Sequence, residues 1–368
     1  MPNTLTLKRT EALPEIIEPL LLWYQSQARS LPWREHPSPY RVWISEIMLQ
    51  QTRVEAVKPY FERFTAALPD IRSLAECPEE KLLKLWEGLG YYSRARNLQK
   101  AAIILQDKYQ GRLPADFDQL LTLPGIGRYT AGAVASIAYA QKAAAVDGNV
   151  LRVITRLIAC SEDILKERTK RAVEAALLAV MPAGKAAGLF NQALMELGAT
   201  VCLPKNSAHC PACPLKRLCL AFAEDCIAAY PCKAARKARR IETYTILRLE
   251  KDTCLALRQR PAKGLLASLW EFPNLPGHLT KKAVIETLFQ AGFDTITIQK
   301  LPPAVHIFSH VEWHMYGWQV HVRETLRVAE TSPVAPSDTV CLTGLSWHTP
   351  AEIAATYSIP AAFHYFFQ

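Results

Sequence analysis

The chain has 368 residues, of which half are hydrophobic and 21% are charged, and its formal net charge is +9. This composition excludes disordered and fibrous proteins and predicts two or three globular domains. The positive charge favours a polyanionic partner, nucleic acid first. No apolar run is long enough to span a bilayer, and the first nine residues lack the core of a secretion signal. We therefore expect an intracellular protein, cytoplasmic or associated with a bacterial nucleoid, and not a secreted one.

The N-terminal region predicts two helices joined by a loop. Apolar residues recur at helical spacing from Ile16 to Tyr24. Leu31-Pro32-Trp33-Arg34 is predicted to be a loop, which Pro37 and Pro39 would keep extended. The next helix is predicted from about Tyr40 to Arg53.

Glu46 lies inside that second helix among mostly apolar neighbours. The residues three and four positions away are Val42, Trp43, Leu49 and Gln50. Burial among them would raise the pKa of the carboxyl group, which suits a general acid at neutral pH. The alternative is a surface glutamate on an amphipathic helix, and spacing alone leaves both open.

A glycine-containing segment, Gly88–Arg96, follows helices predicted at 60–68 and 79–85. Its two glycines would expose Leu89 and Tyr91, and two arginines come directly after them. Apolar or aromatic wedges beside cations are what DNA-bending proteins insert between base pairs. The alternative is a helix C-cap with ordinary core aromatic residues.

A Pro-Gly-Ile-Gly turn comes next, after helices predicted at 98–109 and 117–123. Gly125 and Gly127 would let the backbone approach a phosphate closely, and the following helix offers free N–H groups at its positive end. The whole segment Leu123–Ala131, between two helical patterns, predicts a helix-hairpin-helix. Small residues over Thr130–Ala140 predict a tightly packed helix.

Asp147, with Asn149, precedes a helix predicted at Val150–Ile158. An N-cap role is the ordinary interpretation, since both residue types favour that position. The helix dipole there would lower the pKa of Asp147, while burial raises that of Glu46. Two carboxyl groups with separated pKa values are typical of glycosidic bond cleavage.

Four cysteines follow the helices predicted near Lys170–Val180 and Asn191–Gly198, and they are separated by seven, two and five residues. They are Cys202, Cys210, Cys213 and Cys219. In a reducing compartment this cluster predicts a metal site, and both zinc and iron–sulfur clusters use four cysteines. The other cysteines are predicted not to be ligands: 77, 160, 226, 232, 254 and 341.

The pattern changes from helices to strands at Ile241. Basic residues concentrated between 233 and 240 predict a linker over 226–240. Strands are predicted at 244–249, 254–259, 296–298, 312–322 and 326–328, with a helix at 281–290 and a helical tail from Pro350. This pattern predicts an α+β domain.

Together these motifs resemble the adenine DNA glycosylases of the MutY family, in the helix-hairpin-helix base-excision superfamily. The segments that carry the resemblance are 31–34, 45–52, 88–94, 123–131, 146–150, the cysteine cluster and 308–310. The resemblance implies a multidomain protein: all-α helix-hairpin-helix glycosylase domains with an iron–sulfur cluster loop, then an α+β Nudix-like C-terminal domain. The implied limits are 1–225 for the catalytic region and 241–368 for the Nudix-like domain. Within the former, a six-helix domain would span about 33–140, and an iron–sulfur domain about 1–32 plus 141–225.

The resemblance also implies a 4Fe–4S cluster held by Cys202, Cys210, Cys213 and Cys219. The family usually has six residues between the first two of these cysteines, whereas this chain has seven. One extra residue within the loop 203–209 is compatible with the cluster.

The implied partner is double-stranded DNA in which adenine is mispaired with 8-oxoguanine, or more weakly with guanine, bound by a monomer. The adenine would be flipped into a pocket. Glu46 would protonate its N7 and Asp147 would stabilise the oxocarbenium-like sugar, supported by Tyr129 and Asn149. Arg34 would contact the flipped base, and Gln51 and Tyr91 the stack around the orphan base. The full set of implied DNA contacts is Arg34, Gln51, Thr52, Leu89, Tyr91, Gly125, Gly127, Phe308, Ser309 and His310.

Tyr129 separates the chain from relatives that also cut the strand. In bifunctional glycosylases resembling endonuclease III, a lysine stands at this position and forms a Schiff base. A phenol cannot do so, and we therefore expect a monofunctional glycosylase.

The C-terminal domain is not expected to hydrolyse nucleotides. A Nudix hydrolase binds magnesium through a set of closely spaced glutamates, whereas Glu271 and Glu286 stand alone. By the resemblance, Phe308-Ser309-His310 would instead read 8-oxoguanine.

Three rival functions are less consistent with the sequence. Tyr129 and the large C-terminal domain argue against a bifunctional glycosylase/lyase. The coincidence of Glu46 and Asp147 argues against a non-catalytic helix-hairpin-helix DNA-binding protein. The missing carboxylates argue against a metabolite hydrolase.

Overall fold

The computed structural model describes residues 5, 7–235, 238–324, 342 and 344–367. The chain forms two compact units: Met1–Cys77 with Ser93–Ala235, and Pro78–Tyr92 with Arg236–Gln368. Within the described ranges, no helix is both long and apolar enough to cross a membrane. The domain limits inferred above stay a prediction.

The first unit is helical, as predicted. Its longer helices are Ile17–Gln27, Pro39–Leu49, Val54–Ala67, Ser93–Tyr109, Gly148–Leu157, Glu167–Val180 and Lys185–Thr200, and its shorter ones are Pro32–Glu35, Ile71–Ala75, Phe117–Leu121, Arg128–Ala133 and Leu220–Ala223. A core forms where the apolar faces of several helices meet, and Leu20, Ile154 and Phe190 are fully buried in it. Each such side chain contributes about 1.5–3 kcal/mol of burial free energy.

The prediction of a loop at Leu31–Arg34 is wrong. Pro32–Glu35 is one helical turn, because a proline at the first position has a backbone angle suited to a helix start. The following helix begins at Pro39 and ends at Leu49, earlier than predicted. Gln51 has a positive φ of 59°, a conformation that cannot continue a right-handed helix.

The helix after the hairpin begins and ends two residues earlier than predicted and changes type along its length. It is an α-helix over Arg128–Ala133 and continues as a π-helix over Val134–Ala138. Its small residues do permit close packing: a Cβ on Gly132 would lie 2.1 Å from the carbonyl oxygen of Ala144. The hairpin helix therefore lies directly against the segment that leads to Asp147.

The second unit is α+β, as predicted. Its described strands are β1 Arg240–Lys251, β2 Cys254–Gln259, β3 Trp270–Glu271, β4 Asn274–Pro276, β5 Phe293–Lys300, β6 Ala304–Ile307, β7 Val311–Glu324 and β8 Ser346–His348. Its helices are Glu79–Trp86, Lys281–Gln290, Pro350–Thr356 and the 3-10 helix Ala361–Phe366. The sheet order is β3-β2-β1-β7-β5, with β1 parallel to β7; β4 pairs with β1, β6 with β7 and β8 with β2.

The strand predicted at 312–322 is observed as β7, and its side chains alternate in burial. Trp313 and Met315 are buried on one face, whereas His314 and Tyr316 are only half-buried on the other. The short strands β3, β4, β6 and β8 were not predicted. The strand predicted at 326–328 and the cysteine at 341 lie outside the described residues.

Candidate active site

A large cavity of about 930 Å³ lies in the helical unit. Three separate segments of the chain contribute predicted site residues to its wall. Those residues are Arg34, Glu46, Gln51, Thr52, Tyr129, Asp147 and Asn149. The fold thus brings together the predicted acid, the predicted stabilising carboxylate and the hairpin tyrosine.

Glu46 is buried at the cavity wall, with 5% of its surface exposed. Tyr129 donates a hydrogen bond of 2.5 Å from its hydroxyl to Oε2 of Glu46. The pKa of Glu46 is raised to about 7. Burial is the largest cause; the hydrogen bond from Tyr129 opposes it, and the charge of Asp147 adds to it. The predicted upward shift is therefore confirmed, with burial as its main cause.

Tyr129 is held in its neutral form. Burial raises the pKa of its phenol well above 10, and the charges of Glu46 and Asp147 act in the same direction. The hydroxyl also lies 3.2 Å from Sδ of Met195. Tyr129 can therefore donate a proton in a hydrogen bond but does not supply an anion at neutral pH.

Asp147 is the N-cap of the helix Gly148–Leu157, as its residue type predicts. Its Oδ1 accepts from the backbone N–H of Asn149 and of Val150, at 2.9 and 2.8 Å, and Oδ2 accepts from the Asn149 amide at 2.8 Å. The predicted lowering of its pKa is nevertheless wrong. Burial raises the pKa of Asp147 more than these hydrogen bonds lower it.

Asn149 connects Asp147 to the cysteine-rich loop through Arg152. The Arg152 guanidinium donates through Nη2 to Oδ1 of Asn149 at 2.8 Å, and through Nε to the carbonyl oxygen of Cys202 at 2.7 Å. Arg152 is only 9% exposed. The N-cap is thus held in place by a buried side chain that also fixes the first cysteine.

The cavity wall also contains an ion cluster that sequence reasoning missed. Glu196 accepts from Arg29 and from Arg34, and all three residues line the cavity. Arg29 and Glu196 are separated by 167 positions, so no local pattern could pair them.

Arg94 was predicted to lie beside a DNA wedge, but it is buried. Its Nη1 donates to the carbonyl oxygens of Ile47, Met48 and Gln50 at 2.7–2.9 Å. It therefore caps the end of the helix that carries Glu46.

The hairpin glycines have the conformations that a tight turn needs. Gly125 has a φ of 78°, and a Cβ there would lie 2.7 Å from Cβ of Asn97. Gly127 is the N-cap of the helix Arg128–Ala133, with open space around it. The backbone N–H groups of this turn are therefore accessible to an anion.

The second unit contains the predicted wedge and the predicted reading loop. Tyr91 is 46% exposed, as expected, but Leu89 is 6% exposed, so the prediction that Leu89 protrudes is wrong. Gly88 and Gly90, both with positive φ, reverse the chain on either side of Leu89 and turn its side chain inward. The Tyr91 hydroxyl lies 2.8 Å from Oγ of Ser309.

The reading loop joins β6 to β7. The Phe308 ring packs edge-on against Trp313, with centroids 4.9 Å apart, which fixes the base of the loop. Ser309 and His310 are exposed beyond it. The loop therefore presents polar side chains from a packed aromatic base.

The four clustered cysteines line one small cavity of about 30 Å³. Burial raises the pKa of Cys213 to about 12, and the charges of Cys202, Cys219 and Cys210 add to the shift. Arg156, which is 1% exposed, donates to Sγ of Cys202 at 3.4 Å and to the carbonyl oxygen of Leu203 at 2.7 Å. Among the described residues, no three His, Cys, Asp or Glu side chains are arranged around a metal-ion position.

Comparison with known proteins identifies the family. A model of the HhH-GPD superfamily of base excision DNA repair proteins matches residues 44–178, and a NUDIX domain model matches 244–368. The adenine DNA glycosylase of Rattus norvegicus is 36% identical over 352 residues, covering 80% of this chain and 68% of that protein. The chain belongs to the adenine DNA glycosylase family. The adenine DNA glycosylase of Buchnera aphidicola, from Acyrthosiphon pisum, is 34% identical, covering 80% of this chain and 83% of that protein.

Solved structures of other DNA repair enzymes resemble part of this chain. A thermostable thymine-DNA glycosylase is 28% identical, with a TM-score of 0.51. The match covers 58% of this chain and 100% of that structure's chain. Endonuclease III trapped as a covalent intermediate with DNA is also 28% identical, with a TM-score of 0.51. The match covers 60% of this chain and 99% of that structure's chain. The predicted helix-hairpin-helix fold is confirmed.

The NUDIX match also confirms the predicted fold of the C-terminal part of this adenine DNA glycosylase family member. Glu271 is completely buried in β3 and forms ion pairs with Arg258 and Arg260. Its carboxylate is therefore neutralised by two guanidinium groups rather than directed at solvent.

Proposed function

We propose that this chain removes adenine mispaired with 8-oxoguanine or guanine in double-stranded DNA, by hydrolysing the N-glycosidic bond as a step of base excision repair. The observation that carries the proposal is a pair of carboxyl groups, buried Glu46 and half-buried Asp147, that line one cavity with Tyr129. The relatives named adenine DNA glycosylases support adenine as the excised base.

Glu46 acts as the general acid. A pKa of about 7 keeps a substantial fraction of the carboxyl group protonated at neutral pH. Its proton goes to N7 of the flipped adenine, and the electron pair of the C1′–N9 bond leaves with the base. The carboxylate that remains then accepts a proton from the water that adds to C1′, which restores the acid.

Asp147 stabilises the positive charge that develops on the sugar. The backbone N–H groups of Asn149 and Val150 hold its Oδ1, and the Asn149 amide holds Oδ2. These donors favour the ionised form against the effect of burial. Asn149 is itself held by Arg152, so the carboxylate does not need to reorganise during the reaction.

DNA is the macromolecular substrate that the family membership and the DNA-bound endonuclease III structure support. The hairpin backbone at Gly125 and Gly127 would hold a phosphate. Tyr91 would enter the base stack, and Ser309 with its neighbours Phe308 and His310 would contact the base opposite adenine. Arg34, Gln51 and Thr52 would contact the flipped base and its surroundings.

The four clustered cysteines would hold a 4Fe–4S cluster. They fit such a group because they share one cavity and because burial raises the pKa of Cys213, so that this thiol ionises at neutral pH only beside a cationic centre. Arg156 fixes the loop between the first two cysteines, which absorbs the seventh intervening residue. The bound cluster would shape the basic loop that contains Lys205, Lys216 and Arg217. An absorbance near 400 nm with about four irons per chain would support it, whereas a colourless protein with zinc would contradict it.

The proposed reaction does not cut the strand. Tyr129 lacks an amine, and the lysine that lines the cavity, Lys185, is exposed at its edge. The test measures free adenine by chromatography, and strand cleavage with and without alkali, on a duplex with one adenine opposite 8-oxoguanine. Adenine release with alkali-dependent cleavage is expected. A nick without alkali, together with borohydride trapping of protein on DNA, would show a lyase and overturn the monofunctional assignment.

A further inference from the structure

The ion cluster on the cavity wall joins two distant parts of the chain. Arg29 follows the helix Ile17–Gln27, Arg34 lies in the turn Pro32–Glu35, and Glu196 lies in the helix Lys185–Thr200. The side chain of Glu196 is 1% exposed, whereas those of Arg29 and Arg34 are 33% and 18% exposed. The Glu196 carboxylate is thus the buried member of the cluster, and the two guanidinium groups are its more exposed partners.

Glu196 makes four hydrogen bonds within this cluster. It accepts from the backbone N, Nε and Nη2 of Arg29 at 3.2, 2.6 and 3.0 Å, and from Nη2 of Arg34 at 2.9 Å. Burial raises its pKa, but these bonds and charges outweigh burial, so its pKa lies below the usual value. Glu196 is therefore an anion at neutral pH, and its acceptor positions are taken by the arginines.

Arg34 is further fixed by aromatic and backbone contacts. Its guanidinium lies 5.4 Å from the ring centre of Tyr24, and its Nη1 donates to the carbonyl oxygen of Arg29 at 3.1 Å. The Tyr24 hydroxyl in turn donates to Gln192, one turn before Glu196, at 3.2 Å. These contacts define one position for the Arg34 charge.

We infer that Glu196 is a positioning residue of the active site, which anchors Arg29 and Arg34 on the cavity wall and sets the net charge that Glu46 experiences. This inference rests on the proposed function. Two guanidinium charges and one carboxylate give the cluster a net charge of +1, from +2 and −1. Without Glu196 the net charge would be +2, and without Arg29 it would be 0.

The charged and titratable groups around Glu46 come from several packed elements. Besides the acid itself, the charged and titratable residues that line the cavity are Tyr24, Arg29, Arg34, Tyr129, Asp147, Lys185 and Glu196. The charge of Arg34 already lowers the pKa of Glu46. An added positive charge would favour the Glu46 carboxylate further, and the acid would be lost at a lower pH.

The test is the pH dependence of the single-turnover excision rate at saturating enzyme. The rate should fall as pH rises through the pKa of Glu46, because the acid must be protonated. In Glu196→Gln this fall should occur about one pH unit lower than in the wild type, and in Arg29→Gln at a higher pH. Glu196→Asp keeps the charge and should restore the wild-type profile at a reduced rate.

Glu271→Gln is the matched control, since Glu271 is also a buried glutamate between two arginines but lies in the other unit. Its pH profile should match the wild type. Shifts of opposite sign for Glu196→Gln and Arg29→Gln support the inference, and unshifted or same-direction profiles overturn it. If Glu196→Gln does not fold, the test rests on Arg29→Gln: a fall of the rate at a higher pH than in the wild type supports the inference, and an unshifted fall overturns it. If the wild type releases no adenine at any pH, the proposed function fails instead.

Discussion

Replacing Glu46 with glutamine should stabilise the protein at alkaline pH. The unfolded carboxyl group has its ordinary pKa of 4.5, whereas burial raises the folded value to about 7. A raised folded pKa contributes stability that is present below 4.5 and is lost as pH rises through 7. Keeping Glu46 buried therefore costs about 0.8 kcal/mol at pH 5 and about 3.3 kcal/mol at pH 8, relative to pH values well below 4.5. Glutamine avoids this cost because it does not ionise.

Urea unfolding of the purified protein at pH 5 and pH 8 measures this difference. The gain in unfolding free energy for Glu46→Gln over the wild type should be about 2.5 kcal/mol larger at pH 8 than at pH 5. Glu62→Gln, an exposed position on the helix Val54–Ala67, controls for a general effect of the substitution. Equal gains at the two pH values, or a loss at pH 8, would refute the reasoning about Glu46.

Three further substitutions test the surroundings of the site. Tyr129→Phe removes the hydrogen bond that lowers the pKa of Glu46. The pH at which the excision rate falls should therefore rise by about one unit or more. A fall at a lower pH than in the wild type would contradict this. Arg152→Gln breaks the connection between Asn149 and Cys202 and should lower the single-turnover rate about tenfold or more. The DNA affinity, measured by anisotropy, should change little. An unchanged rate would show that Asp147 needs no such support. Cys213→Ser should lose iron and the absorbance near 400 nm, and a variant that keeps both would remove Cys213 from the proposed ligand set.

Local signals in the sequence were enough to select the main site residues. The apolar helical neighbours of Glu46 indicated a buried acid without excluding a surface glutamate, and Asp147 could be predicted as an N-cap because its residue type and the following helix agree. The strand predicted at 312–322 corresponds to β7 within two residues at each end. Each of these depends on spacing within a few residues, where the geometry of helices and strands is fixed.

Long-range contacts account for what the sequence could not reveal. The pKa of Asp147 depends on how deeply the folded unit buries it, and burial outweighs the effect of the helix start. The arginine partners of Glu196 lie more than 160 positions away, with no periodic pattern linking them. Arg94 carries a charge that usually indicates the surface, yet three carbonyl oxygens bind it in the interior.

The most direct test of the account is excision by the wild type beside Glu46→Gln and Asp147→Asn. Each protein is incubated with a duplex that has one adenine opposite 8-oxoguanine and is then treated with alkali. The account predicts a cut at that adenine, dependent on alkali, for the wild type, and no cut for either variant with DNA binding retained. A wild type that binds this DNA without producing the cut, or a variant that cuts as fast as the wild type, would contradict it.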